Sequence, residues 1–144
     1  MKRIIFLSLT IALIVGSCTQ QEVKSPLEGV WQVVSWERMR GDTLVATFGK
    51  DFTGSEMKIW SGNYFNFVGQ YKADTNVVDN YGGGTYKLDG NRYEENLLYP
   101  NQVTVKLLLE IKNDTVIQTW PVDENGQIIK TTGLNNVQKL VRME

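Results

Sequence analysis

The chain of 144 residues contains no histidine, and that absence excludes several chemistries together. A Ser-His-Asp or Cys-His nucleophile, a histidine-bound zinc and a proximal-histidine haem all need the missing imidazole. There is a single cysteine, Cys18, so no disulfide can form within the chain. Charge of either sign is also weak. The formal net charge is −1, and removing Lys2 and Arg3 with the leader described next takes it to −3. Such a balance gives no electrostatic reason to expect nucleic-acid binding. The apolar run from Ile4 to Val15 is too short to cross a bilayer, which takes about 20 residues.

What is present at the N-terminus has the layout of an export signal. Met1-Lys2-Arg3 supplies positive charge, Ile4 to Val15 an apolar core, and Gly16-Ser17 a small-residue exit. Val15-Gly16-Ser17-Cys18 resembles a bacterial lipobox. The resemblance implies that residues 1–17 are a cleaved lipoprotein signal peptide and that Cys18 carries diacylglycerol and palmitate-type acyl chains. Each buried methylene contributes about 0.8 kcal/mol, so two or three chains anchor stably. The expected partner is therefore the lipid bilayer, reached through acylated Cys18. The expected address is the cell envelope, lipid-anchored at the outer membrane and facing the periplasm or the exterior. Residues 18–27, polar through Gln20, Gln21, Glu22, Lys24 and Ser25, read as a tether, and 28–144 as one folded domain.

That domain reads as a succession of short strands. Gly29-Val30-Trp31 opens a bulky, β-prone run to about Arg38 or Arg40. Simple alternation puts Val30, Val34 and Trp36 on one face and Trp31 and Val33 on the other. Gly49 to Ser55 reads as loop, Glu56 to Trp60 as a strand and Tyr64 to Tyr71 as its return. In the latter Phe65, Phe67, Gly69 and Tyr71 share a face. Lys72 to Tyr81 reads as polar and irregular. Gly82-Gly83-Gly84 suggests a bulge or sharp bend, and Asp89-Gly90 a hairpin turn into Arg92 to Tyr99. Val103 to Lys112 alternates cleanly, with Val103, Val105, Leu107, Leu109 and Ile111 expected inward. Thr115 to Val122 returns, and Asp123-Glu124-Asn125-Gly126 turns into an expected strand from Gln127 to Thr132. Asn136 to Met143 closes the domain. About eight to ten strands of this kind make an all-β barrel or sandwich.

The aromatic residues are the candidate site. Trp36, Trp60, Phe65, Phe67, Tyr71, Tyr86, Tyr93, Tyr99 and Trp120 can line a lumen or its mouth, with Arg92 and Glu95 as polar anchors. A mostly apolar concavity with a few polar groups suits a small apolar or amphipathic ligand. The competing reading is a barrel filled by its own side chains, which an eight-stranded one is narrow enough to be. A filled barrel would point instead to an envelope protein that meets other proteins, although no particular protein partner is indicated. Catalysis is not expected; a hydrolase is the least favoured alternative and would need a distant carboxylate such as Asp74 or Asp79 facing Glu94 or Glu95. Adjacent Glu94 and Glu95 face opposite sides of a strand and cannot serve as a carboxylate pair. No cofactor and no metal site is expected; the Asp123–Gly126 turn lacks the ligands of a calcium loop.

Gly29-x-Trp31 with Arg142 near the end resembles the lipocalin pattern, which implies an antiparallel barrel whose base is closed by guanidinium–indole stacking. More narrowly, the chain is similar to a family of small lipocalin-like lipoproteins of Bacteroidetes-type bacteria, a domain of unknown function. The shared features are Gly29-x-Trp31, Met57-Lys58-Ile59-Trp60-Ser61 with Phe65-Asn66-Phe67, and Gly84-Thr85-Tyr86 with Tyr93-Glu94-Glu95. Asp123-Glu124-Asn125-Gly126 and Lys139-Leu140-Val141-Arg142 complete the set. The chain departs from the family where an aromatic-Lys-Arg ending is common. That resemblance implies a fold and supplies no activity. It makes Gly29, Trp31 and Arg142 structural and leaves the opposite end for a ligand.

Overall fold

A computed structural model describes residues 24–129 and 133–144. Cys18 and the signal segment lie outside the described residues. Nine strands follow one another: β1 (Gly29–Arg40), β2 (Thr43–Thr47), β3 (Thr53–Ser61), β4 (Tyr64–Ala73), β5 (Asn76–Asp89), β6 (Arg92–Tyr99), β7 (Val103–Lys112), β8 (Thr115–Trp120) and β9 (Leu134–Arg142). All neighbours pair antiparallel, and β9 returns to pair with β1. The chain is thus an all-β, lipocalin-like antiparallel barrel of eight strands, with β2 as an extra strand laid along the far half of β1. Closure leaves few backbone groups for stray pairing, which is how such folds manage their edges.

β1 makes this geometry by changing partners along its length. Gly29 to Gln32 pair with β3, Glu37 to Arg40 pair with β2, and the opposite edge runs along β9 from Trp31 to Arg40. A bulge between Val33 and Ser35 inserts an extra residue. Strand parity therefore shifts. Trp31, Val33 and Trp36 all point inward and are buried, while Val34 is 42% exposed. This corrects the uninterrupted alternation that set Trp36 and Trp31 on opposite faces.

Other sequence expectations are corrected on similar grounds. Residues 72–81 are not irregular but form the β4–β5 hairpin, polar because its end stands in solvent; Asp74 turns it with φ 52°. β3 begins at Thr53, inside the expected loop. Between Asp123 and Ile129 there is no strand, only a bridge between Val122 and Ile128, and residues 130–132 lie outside the described residues. Val103, expected inside, is 50% exposed at the start of β7.

The glycine run behaves as a bulge. The β5–β6 register shifts between Gly83 and Gly84. A Cβ at Gly84 would fall 2.0 Å from the Asn96 carbonyl oxygen, so only glycine fits there. At Gly82 the same atom would lie 2.8 Å from the Phe67 ring. Backbone thinness on β5 thus makes room for an aromatic ring inside the barrel.

Candidate functional site

The barrel interior divides into a filled base and a partly open upper half. At the base, the Trp31 indole nitrogen donates to the Leu27 carbonyl at 2.7 Å, and the Arg142 guanidinium stacks over the ring at 4.2 Å from its centroid. Arg142 also donates to the carbonyl oxygens of Glu28 and Pro26 and to Asp114, so it ties the entry to β1 and the β7–β8 turn to the end of β9. Gly29 has φ +120°, and a Cβ there would sit 3.0 Å from the guanidinium. Above Trp31, Trp60 meets it edge-to-face and donates to the Tyr93 hydroxyl at 2.6 Å. Leu107, Leu109, Val116 and Leu140 fill the remaining space.

A charged layer lies on this aromatic base. β3 turns Glu56, Lys58 and Trp60 inward in alternation, and all three are buried. Lys58 forms an ion pair with Glu95 of β6, both side chains almost fully enclosed, and reaches the Gln118 carbonyl oxygen at 3.4 Å. Its ammonium also stands 5.1 to 5.8 Å from the ring centroids of Trp60, Phe65, Phe67 and Tyr93. The faces of aromatic rings stabilise a desolvated cation. Four of the rings expected to meet a ligand therefore stand around the chain's own lysine.

Glu56 is the second buried carboxyl. It accepts from the amides of Asn80 and Gln138. Burial raises its pKa above the ordinary carboxyl value; the Asn80 hydrogen bond and the Lys58 charge act in the opposite direction without cancelling the effect. Burial likewise pushes Tyr93 above the usual phenol range, assisted by the negative charge of Glu95, and pushes Tyr71 up beside Glu56. The Tyr71 hydroxyl faces Glu56 without well-formed hydrogen-bond geometry.

Above the charged layer is a cavity of ≈ 280 Å³. Trp36, Phe67 and Trp120 give it aromatic walls, and Leu97, Val105 and Leu107 aliphatic ones. Its polar groups come from Glu56, Lys58, Asn80, Glu95, Gln118, Asn136 and Gln138. It lies at the end away from Trp31. One side of that end is covered by Phe48, Phe52 and Tyr71 packed around Trp36, with the Arg38 guanidinium 4.9 Å from the Trp36 ring. Asn136 fixes the Trp36 indole by accepting its N–H at 3.0 Å.

Of the residues singled out in the sequence, Trp36, Phe67, Glu95 and Trp120 line the cavity. Trp60, Phe65, Tyr86 and Tyr93 are buried in the base, and Tyr71 belongs to the aromatic cover. Tyr99, at the end of β6, is exposed beside Tyr81 and does not line the cavity. Arg92 is also a correction. On β6 it alternates with the inward Tyr93 and Glu95, so it stands outside, where it donates to the Asn125 carbonyl. Glu94 points outward as well and accepts from Asn96, so the two adjacent glutamates do divide between outside and inside. Sequence reasoning missed Glu56, Lys58, Gln118 and Gln138. A signal exists for three of the four: Trp60 and Trp120 are expected at the lumen, and two-residue alternation carries Lys58, Glu56 and Gln118 to the same side; nothing comparable marks Gln138.

The chain matches no protein-family model, no curated protein and no solved structure in comparison with known proteins.

Proposed function

We propose that this protein is a lipid-anchored binding protein of the cell envelope, holding a small amphipathic molecule in the upper half of its barrel. The observation that carries the reading is the 280 Å³ cavity, which joins aromatic walls to convergent polar side chains. Its volume lies just below the usual range for small-molecule sites, about 300–1,000 Å³, so the ligand is small. A wholly apolar ligand is disfavoured, because it would leave the buried Gln118 amide nitrogen without an acceptor. Binding without turnover fits the engagement of Glu95 by Lys58, which leaves that carboxylate poorly placed to act as a base. Anchoring through Cys18 belongs to the same proposal and rests on the lipobox resemblance.

A second reading is carried by the outer wall, where Val68, Tyr81 and Tyr99 are all exposed and the two tyrosine rings lie 5.9 Å apart. An apolar patch of that kind suits a protein partner. The two readings separate in one experiment. The indole N–H signals of Trp36 and Trp120 are followed by NMR while an organic extract of the source cells' envelope is added. Binding in the cavity shifts these two signals and leaves buried Trp31 unmoved. No shift at either indole would overturn the binding proposal.

A further inference from the structure

Gln118 is almost fully buried, and its amide nitrogen has no hydrogen-bond partner among the described residues. The orientation of that amide is fixed from the other side. Its carbonyl oxygen faces the Lys58 ammonium at 3.4 Å; turning the group over would set an NH2 against a cation, donor to donor. The NH2 is therefore held where no side chain accepts from it, and Gln118 is part of the cavity lining. A buried donor left without an acceptor costs about 1–3 kcal/mol. A ligand that supplies the acceptor recovers that loss, and one that lacks it does not.

The rest of the site limits what else the ligand can be. Lys58 is already neutralised by Glu95, so an added anion would be desolvated without a free counter-charge. Trp36, Trp120 and Phe67 put aromatic rings in the wall, and such a wall favours a flat ring over a flexible chain. From these observations, and resting on the reading of the cavity as a binding site, we infer that Gln118 is a specificity-determining residue. It donates from its NH2 to a carbonyl-type acceptor on a neutral molecule of one or two fused rings.

The test uses matched probes titrated into the folded protein by NMR: coumarin against naphthalene, 1-indanone against indane, and 1-naphthoate as the anionic member. Each carbonyl compound should bind at least about tenfold more tightly than its hydrocarbon partner, as expected when one buried donor is satisfied or left bare. The 1-naphthoate should bind more weakly than coumarin. In Gln118→Met the preference should fall below about threefold, with hydrocarbon affinity retained. Equal affinities within the pairs in the natural protein would overturn the role of Gln118 while leaving the cavity a binding site. Tightest binding by 1-naphthoate would overturn the neutral-ligand inference. No binding by any probe would remove both this inference and the proposed function. The comparison within pairs decides the matter even if the substituted protein fails to fold.

Discussion

Lys58 is held by opposite charge and by ring faces together, and its neighbours depend on it. Breaking a buried ion pair by removing one member costs about 3–5 kcal/mol, because the other charge is left uncompensated, whereas replacing both members with apolar groups is often neutral. Lys58→Met alone should therefore lower stability by that amount, and Lys58→Met with Glu95→Leu should recover most of it. Urea denaturation of the four proteins in the cycle measures the coupling. Additive losses would show that the pair is not the organising contact. Glu56 gives a pH signature. Its carboxyl pKa is raised in the folded protein, so the folded form binds the proton more tightly than the unfolded chain. Its stabilising contribution is complete below the ordinary pKa and is lost as pH rises through the raised one. Natural protein should lose stability relative to Glu56→Gln on going from acidic to neutral pH in denaturant melts; a constant difference would contradict the assignment. These residues were poorly legible in the sequence because charged side chains on a strand are ordinarily solvated. Only the alternation with Trp60 on β3 marks Glu56 and Lys58 as inward.

Among the elements, β1 and β5 show what sequence pattern can and cannot convey. The strands themselves were readable from turn residues and alternation: β7 and the Asp89–Gly90 turn fall where expected. A bulge is less readable, because one extra residue leaves composition unchanged while reversing every later side chain. That is why simple alternation separates Trp36 from Trp31, although both face inward. On β5 the three glycines did give warning, since residues lacking a side chain in a strand usually mark a close approach. Gly84→Ala tests that reading at the scale of the strand. The added methyl would meet the Asn96 backbone oxygen, and overpacking of this kind costs about 1–3 kcal/mol or more. A lowered melting temperature is expected in circular dichroism. An unchanged one would mean that β5 and β6 can part without cost.

For the whole molecule, the division of the barrel assigns different work to its ends. Gly29, Trp31 and Arg142 close the base beside Pro26 and Leu27, leaving the cavity at the far end. This much was foreshadowed by the Gly-x-Trp and the late arginine. What the cavity contains was not, because Gln118 and Gln138 are brought beside β3 and β6 only when β9 closes the barrel onto β1. The anchor can be tested separately from the cavity. Cys18→Ala should move the protein from the membrane to the soluble fraction on cell fractionation, while continued membrane retention would contradict lipidation. The binding claim is tested most directly by native mass spectrometry of protein purified without denaturant from its own cells. The natural protein should carry an additional small-molecule mass, and a folded Val105→Trp variant, its cavity filled, should not. The mass of the protein alone in both, or the same additional mass on both, would contradict the account.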